Sequence, residues 1–404
     1  MSETPPLKDA VTSASRRSAL LGAIFLMATS AIGPGFITQT ATFTLELGAA
    51  FACAIVLSIL VDVAVQLNVW RVIGVAGRRA HELAGDVAPG AGWVLAGLVV
   101  VGGLVFNIGN VAGSGLGTDA LLGLEPKIGG AISAALAAAI FLSHRAGMAL
   151  DRVVVLLGLL MIVATAAIAL TSGPPVGEAL TSVVAPAEFD VLAVTTIIGG
   201  TVGGYITYAG AHRLLDSGTT GPEAVRDISR SSVVGILVTG LMRVVLFLAI
   251  LGVIAGGASI DAGNPAASAF EAAAGEVGLR VFGLILWAAA LTSVIGASYT
   301  SVSFITTSRT SDRTRNLLTV GFIVLTTVIY LLIEQAPVTL LVFAGAFNGM
   351  ILPIGFGILL WIAWRRRDLL HGYRYPRWLL GIGVLAWLLT LYLAYNSITP
   401  ITEL

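Results

Sequence analysis

Charged side chains are scarce in this sequence. Asp, Glu, Lys and Arg make up 11% of its 404 residues, whereas 57% are hydrophobic and the mean hydropathy is +0.95. A soluble globular protein carries about 25% charged residues. No water-soluble fold of this length hides so much apolar surface, so the composition predicts an integral membrane protein.

Cysteine and histidine are also rare. The single cysteine, Cys53, lies in an apolar run, which excludes a disulfide framework, and four histidines make a dedicated zinc centre improbable. The formal net charge of zero gives no basic surface for nucleic acid. We therefore expect no cofactor, no resident metal and no nucleic-acid partner, but a lipid bilayer and a small-molecule or ion substrate.

Long apolar runs fill the rest of the chain. A membrane span needs about 20 mostly apolar residues, and in lipid these should be helices because unpaired backbone groups are costly there. Eleven stretches qualify, and they lie at 18–43, 49–70, 92–117, 128–143, 152–171, 191–212, 232–257, 278–303, 316–333, 337–363 and 377–396. The sequence thus predicts an all-α integral membrane protein with eleven transmembrane helices.

The basic residues predict the orientation, because Lys and Arg concentrate in cytoplasmic loops. With a cytoplasmic N-terminus, 19 of the 22 basic residues fall on the cytoplasmic side. Only Lys127 and Arg280 fall outside, and Arg243 lies within a span. We expect a plasma (inner) membrane protein with its C-terminus outside.

The N-terminus allows a second interpretation. Ser15-Arg16-Arg17 before an apolar run that ends near Ala31 could be a cleaved export signal, which would leave ten spans. In the favoured division, residues 1–15 are disordered and 16–171 form a first five-helix repeat. Residues 172–363 form a second repeat, and 364–404 hold the eleventh helix and a short C-terminus.

Two of the spans contain helix-breaking sequences. Gly33-Pro34-Gly35 interrupts the first span, and the run from Gly199 to Gly204 interrupts the sixth. Each is the first helix of a five-span half, and interrupted helices at matching positions indicate a transporter site between inverted repeats. The alternative is close helix packing through glycines, which is common in membranes.

The residues at these breaks resemble those of the NRAMP family of proton-coupled divalent-metal transporters, which share the LeuT-like fold. Gly33-Pro34-Gly35-Phe36 stands where the family has Asp-Pro-Gly-Asn. Gly200-Thr201-Val202 leads into Gly203-Gly204-Tyr205, where the family has Met-Pro-His. Gln66-Leu67-Asn68-Val69 is similar to the end of the family's second helix. The resemblance covers almost the whole chain and implies a 5+5 inverted repeat plus one extra helix.

The same resemblance shows what is missing. The positions of the family's metal-binding side chains hold Gly33, Phe36, Gly203 and Tyr205, and Asn348 stands in place of a glutamine. Transition metals prefer carboxylate, imidazole or thioether ligands, and none of these remains. Asn107 and Asn110 replace two acids that the family associates with proton movement. The combined loss predicts changed chemistry and another substrate.

The remaining residues suit a small organic acid. Amides near Gly35–Ile37 or Gly204–Ile206 would hold its carboxylate, because the N-terminus of a helix favours anions. Phe36 and Tyr205 would pack against an apolar part of the solute. Hydrogen bonds would come from a set of neutral amides: Gln39, Asn107, Asn110 and Asn348. The resemblance also associates this branch with 5-oxoproline breakdown, which makes that lactam acid one candidate. Each asparagine could instead serve only to bond neighbouring helices.

Arg243 lies near the centre of the seventh span, where a charge is expensive and suggests function. It could oppose an anionic substrate or pair with Asp62 of the second span, as a structural or a coupling element. The sequence therefore favours a secondary-active transporter of a small organic acid or other non-metal solute, and not an enzyme. One alternative is divalent-metal (Mn²⁺ or Mg²⁺) transport through backbone and water ligands. The other is a transport-inactive membrane sensor or enzyme.

Overall fold

A computed structural model describes residues 32–306 and 310–402, with residues 144–155 described by their backbone only. The predicted disordered N-terminus and the first half of span 1 lie outside the described residues. The helices of the described part are α1 (Pro34–Leu47), α2 (Phe51–Ala76), α3 (Ala80–Gly85), α4 (Ala91–Leu122), α5 (Pro126–Leu142), α6 (His144–Thr171), α7 (Val176–Val184), α8 (Val191–Gly199), α9 (Ile206–Asp216), α10 (Val225–Ala255), α11 (Pro265–Ile305), α12 (Asp312–Leu332), α13 (Pro337–Arg365), α14 (Arg377–Asn396) and α15 (Ile398–Thr402).

Every predicted span overlaps one of these helices or a broken pair of them, and the described part of the chain contains no strand. The all-helical prediction is thereby confirmed. By length and apolar composition alone, seven helical segments within the described residues can cross a membrane, or eight if α6 and α7, which bend by 102°, form one span. Spans 4 and 6 fall short because α5 has 17 residues and span 6 is split in two. The count of eleven therefore stays a prediction.

Three helical features were not foreseen. The short helices α3 and α7 lie between spans, and nine residues or fewer are too short to produce a hydropathy signal. Helix α11 begins at Pro265, well before the predicted start at 278, and Gly275 interrupts it with a φ of 65°. Only glycine adopts this backbone region without strain, so the residue permits the local bend.

Helix ends follow from local sequence. Gly77 and Gly123 end α2 and α4 with φ values of 65° and 69°, the left-handed conformation that glycine supplies after a helix. Helix α5 begins at Pro126, and the Glu125 side chain accepts hydrogen bonds from the amides of Lys127 and Ile128. These stops keep the connections between neighbouring spans short.

Helix α4 is the centre of the bundle. It packs along α11, α13 and α5, and glycines line its contacts. A β-carbon on Gly115 would overlap the carbonyl of Pro126, and one on Gly117 would overlap the backbone of Trp287. Small residues therefore let these helices approach to backbone distance, as is usual where lipid supplies no hydrophobic force between helices.

Loops that the basic residues assign to one side of the membrane do meet. Arg71 donates to the Ser229 hydroxyl, Arg79 donates to the carbonyl of Ser303, and Arg366 donates to the carbonyl of Asp86. These contacts join the end of α2 and the segments on either side of α3 to the start of α10, the end of α11 and the segment after α13, at one end of the bundle. The alternation of spans is consistent with this clustering.

Candidate functional site

The first break is defined by the start of α1. Gly33 is extended, with φ −93° and ψ −174°, and Pro34 occupies the first helical position. Proline suits that position because its missing N–H would have no partner within the helix. The Ile37 amide bonds the Gly33 carbonyl at 3.2 Å, so Gly35 and Phe36 carry the first-turn amides without a carbonyl of their own helix.

The second break separates α8 from α9. Three successive amides, those of Thr201, Val202 and Gly203, turn back onto the Ile198 carbonyl at 2.8–3.2 Å. Gly204 then takes a φ of +50°, and the Ile206 amide bonds the Gly203 carbonyl at 3.1 Å. The broken helix predicted from the glycine run is present, and the Ile206 amide is already occupied.

The two breaks lie against one another. Gln39 of α1 reaches Gly200 so closely that a β-carbon on this glycine would overlap the Gln39 side-chain oxygen. Gly199 similarly abuts the backbone of Gly345 in α13. All eleven residues predicted to bind substrate are buried. The structure thus brings the predicted positions of spans 1, 6 and 10 together in one buried region.

Two neutral amides present fixed acceptor oxygens to the second break. Gln39 Nε2 donates to the Leu341 carbonyl at 2.8 Å, and Asn348 Nδ2 donates to the carbonyls of Gly102 and Ala344 at 3.0 and 2.9 Å. These bonds determine which way each amide points. Gln39 Oε1 then faces Gly200 and Asn348 Oδ1 faces Gly204, and both oxygens are buried without a hydrogen-bond partner.

The two asparagines of α4 have different surroundings. Asn107 Nδ2 donates to the hydroxyls of Ser298 and Thr326, both at 3.0 Å, and so links α4 to α11 and α12. Asn110 instead faces the Tyr205 hydroxyl, and neither of its amide atoms has a hydrogen-bond partner of good geometry. Asn110 therefore belongs to the buried region at the breaks, whereas Asn107 belongs to a link between helices.

Aromatic rings form one wall of the region. The Tyr205 ring packs edge-on against Phe106 with centroids 5.3 Å apart, and Phe106 also lies 3.6 Å from the β-carbon position of Gly35. Phe106 thus touches both breaks, and it is not among the site residues predicted from the sequence. An apolar aromatic in a long apolar helix gives no signal that would separate it from ordinary core.

A buried pair of opposite charges lies beside both breaks. Arg243 is 2% exposed, its guanidinium carbon lies 4.3 Å from the centre of the Phe36 ring, and its Nη1 donates to the Ile197 carbonyl at 3.3 Å. Asp62 is 1% exposed and faces the Thr201 hydroxyl. The two residues interact electrostatically. None of the ion pairs among the described residues joins them.

An aromatic cluster packs beside α9 at the end of the bundle that carries Arg79. The Phe304 ring stacks on His212 at 4.8 Å and lies 5.3 and 6.0 Å from the rings of His81 and Tyr208. Burial lowers the pKa of the His81 imidazole, and the neighbouring Glu82 acts in the opposite direction. The cluster packs α9 against α3 and the end of α11.

Metal-binding side chains do not converge in the described residues, where no group of three or more His, Cys, Asp or Glu could hold an ion. The Asp62 carboxylate faces Thr201 at the second break, and its charge is opposed by that of Arg243. The groups at the breaks that could contact a ligand are the backbone, neutral side-chain amides, aromatic rings and the Arg243 guanidinium.

Comparison with known proteins places this architecture. The Eremococcus coleocola manganese transporter superposes with a TM-score of 0.72 at 17% identity, covering 99% of this chain and 89% of that one. MhsT in complex with L-phenylalanine superposes with a TM-score of 0.64 at 18% identity, covering 95% of this chain and 98% of that one. At these identities the likeness shows the fold, which is the LeuT-type fold of membrane transporters.

The family follows from sequence. A family model described as natural resistance-associated macrophage protein-like, Nramp, matches residues 24–400. The uncharacterized membrane protein YcsG of Bacillus subtilis is 50% identical over 379 residues, 94% of this chain and 93% of that one. An uncharacterized membrane protein of Haemophilus influenzae is 50% identical over 383 residues, 95% of each. The chain belongs to the Nramp family and is a multi-pass membrane transporter.

Proposed function

We propose that this Nramp-family transporter carries a small organic acid, or a related non-metal solute, by alternating access around the two broken helices. One helix bundle would rock against the other around a site at the breaks, as in other transporters built from inverted repeats. The distribution of basic residues supports an inner (plasma) membrane location with a cytoplasmic N-terminus.

The observation that carries this proposal is the buried guanidinium of Arg243 over the ring of Phe36. Phe36 stands where the family resemblance puts a metal-binding asparagine. At an effective dielectric of about 20, each unit of positive charge about 5 Å from the guanidinium is disfavoured by roughly 3 kcal/mol, and a divalent ion by twice that. Asp62 offsets part of this repulsion, but the field at the break still favours an anion over a naked cation.

The lining supports an organic solute. Phe36, Phe106 and Tyr205 supply apolar walls, and Gln39 Oε1 and Asn348 Oδ1 supply acceptors that lack a donor. Small-molecule sites typically combine mostly apolar walls with a few oriented polar groups. A solute with a carboxylate, an N–H donor and a small ring would satisfy these groups together. 5-Oxoproline has all three and is one candidate.

The test is ligand stabilisation of the purified protein, followed by uptake into vesicles. Panels of small carboxylates, including acetate, lactate, benzoate and 5-oxoproline, are compared with MnCl₂ and MgCl₂ by the shift in unfolding temperature. We expect saturable stabilisation by at least one carboxylate, which Tyr205→Ala weakens. Tyr392→Ala serves as control, because Tyr392 is 58% exposed on α14 and away from the breaks.

Stabilisation of the protein by divalent metal ions would contradict the proposal. Stabilisation by Mn²⁺ or Mg²⁺ alone, with no carboxylate active, would restore a divalent-metal function in which backbone and water replace the missing ligands. Concentrative uptake of radiolabelled carboxylate into vesicles, absent from empty vesicles, would also exclude a transport-inactive sensor.

A further inference from the structure

Arg243 has an unused edge. Its Nη1 donates to the Ile197 carbonyl and its plane lies over Phe36, but Nε and Nη2 are buried and have no hydrogen-bond partner. These two nitrogens form the side of the guanidinium that can grip a carboxylate with two parallel bonds. A buried charged donor without an acceptor is costly, so a vacant fork in a membrane span calls for an explanation.

The obvious internal acceptor does not close this fork. Asp62 is the charged group that acts on Arg243, yet its carboxylate faces Thr201, and its Oδ1 is itself buried without a partner. Asp62 therefore offsets part of the charge of Arg243 through space while the fork stays open. A purely structural salt bridge would be expected to satisfy both partners directly.

The position of the fork ties it to both breaks. Ile197 lies in the last turn of α8, just before the second break, and Phe36 is in the first turn of α1, just after the first. The guanidinium is held by one residue of each broken helix. A ligand on its free edge would therefore lie beside the structural elements that alternating access must move.

We infer that the Nε and Nη2 edge of Arg243 is the group that binds the carboxylate of the transported acid, with Asp62 as the resident counter-charge. This inference rests on the proposed function and names the residue that selects acids. The sequence predicted backbone amides near Gly204–Ile206 as one possible contact for the anion, but the Ile206 amide is already bonded to the Gly203 carbonyl. The inference instead assigns the main anion contact to the Arg243 side chain.

Matched acid and amide pairs test the inference. The probes are lactate with lactamide, benzoate with benzamide, and 5-oxoproline with its carboxamide, and the readout is the dissociation constant from thermal stabilisation. The wild-type protein should prefer the active acid over its amide by about 10-fold to 100-fold, the usual strength of bonds to a charged group. Arg243→Gln should abolish this preference, and Arg243→Lys should retain only a small part, because lysine keeps the charge but not the fork.

Controls separate a binding role from a structural one. Arg280→Lys makes the same change at a solvent-exposed arginine bonded to Glu276 and should leave the preference unchanged. If the Arg243 variants do not fold, wild-type protein labelled with ¹⁵N-arginine replaces them. Among the described arginines, the Nε–H groups of Arg243 and Arg71 are both buried without a partner. The acid but not the amide should then shift the slowly exchanging Nε–H resonance that persists when Arg71→Lys removes the other one.

The outcomes are distinct. If an acid stabilises the wild type but Arg243→Lys and Arg243→Gln keep the full preference, or no arginine resonance responds, the inference is wrong and the proposed function stands. If no carboxylate stabilises the wild type, the proposed function fails and the inference fails with it.

Discussion

Gly204 offers the sharpest test of the geometry at the second break. Its φ of +50° disfavours any side chain, and a β-carbon there would overlap Asn348 Oδ1 and lie 2.6 Å from Asn348 Cγ. Gly204→Ala therefore carries backbone strain of about 1–2 kcal/mol. It also forces Asn348 to leave its two bonds to Gly102 and Ala344, each worth about 1 kcal/mol. We expect Gly204→Ala to lower the free energy of unfolding by about 3–4 kcal/mol in total.

Two control variants isolate these contributions. Gly218 has a φ of +75° with nothing within 4 Å of its β-carbon position, so Gly218→Ala should show the backbone strain alone. Gly296 is an exposed helical glycine with equally open surroundings, and Gly296→Ala should be neutral or stabilising by up to about 1 kcal/mol. The assay is reversible unfolding in mixed detergent micelles titrated with SDS, with the free energy of unfolding as readout.

The double variant makes the reasoning refutable. On an Asn348→Ala background the overlap is gone, so Gly204→Ala should then cost only the 1–2 kcal/mol expected of Gly218→Ala. If Gly204→Ala costs the same with and without the Asn348 side chain, then Asn348 does not press on the second break, and the acceptor placed there is wrong.

Three further predictions concern charge and polar links. Asp62→Asn and Arg243→Gln should each lower the free energy of unfolding by about 3 kcal/mol, because each leaves one buried charge uncompensated. The double variant should lose less than the sum of the two. Strictly additive losses in SDS titrations would show that the charges are uncoupled. Because burial lowers the pKa of His81, the unfolded state binds its proton first, so wild-type stability should fall as pH drops below about 6.5. His81→Gln should remove that part of the slope in thermal unfolding, and an unchanged slope would contradict the assignment. Asn107→Ala should destabilise by about 1–2 kcal/mol through its two lost bonds, whereas Asn110→Ala should mainly weaken ligand stabilisation; the reverse pattern would exchange their roles.

Hydropathy was enough to locate most of the helices. The predicted span at 92–117 appears as Ala91–Leu122, and that at 377–396 appears as Arg377–Asn396. The breaks were equally predictable, because Pro34 and the consecutive glycines near position 200 lie at matching positions of the two halves. Hydropathy gave no sign of α7, whose nine residues turn by 102° from the preceding helix.

Side-chain direction was beyond the reach of sequence. Helix α4 is buried on most of its circumference, so apolar residues lie on all its faces. The sequence pattern therefore does not distinguish the face of Asn107 from the face of Asn110. Hydrophobic periodicity identifies the buried face of a helix only when the opposite face is in contact with water. The contact of Arg243 with Phe36 joins spans 7 and 1 and depends on the packed arrangement of both breaks.

The charge at the breaks leads to a last prediction. Gly33→Asp with Phe36→Asn would restore two side chains of the family's metal motif, yet we expect no binding of Mn²⁺. The guanidinium of Arg243 lies over Phe36, three residues along the chain from Gly33, and its fork is vacant. The new carboxylate should pair with this fork, because a bidentate guanidinium bond inside a low-dielectric site is strong. Adding Arg243→Met removes both the competing donor and the repelling charge, and leaves the new carboxylate and amide oxygens, which are ligands that Mn²⁺ accepts. Stabilisation by Mn²⁺ should therefore appear in the triple variant and be absent from the double one. Equal stabilisation of both variants would show that the guanidinium does not control the charge preference of the breaks, and would remove the main support for an organic anion as substrate.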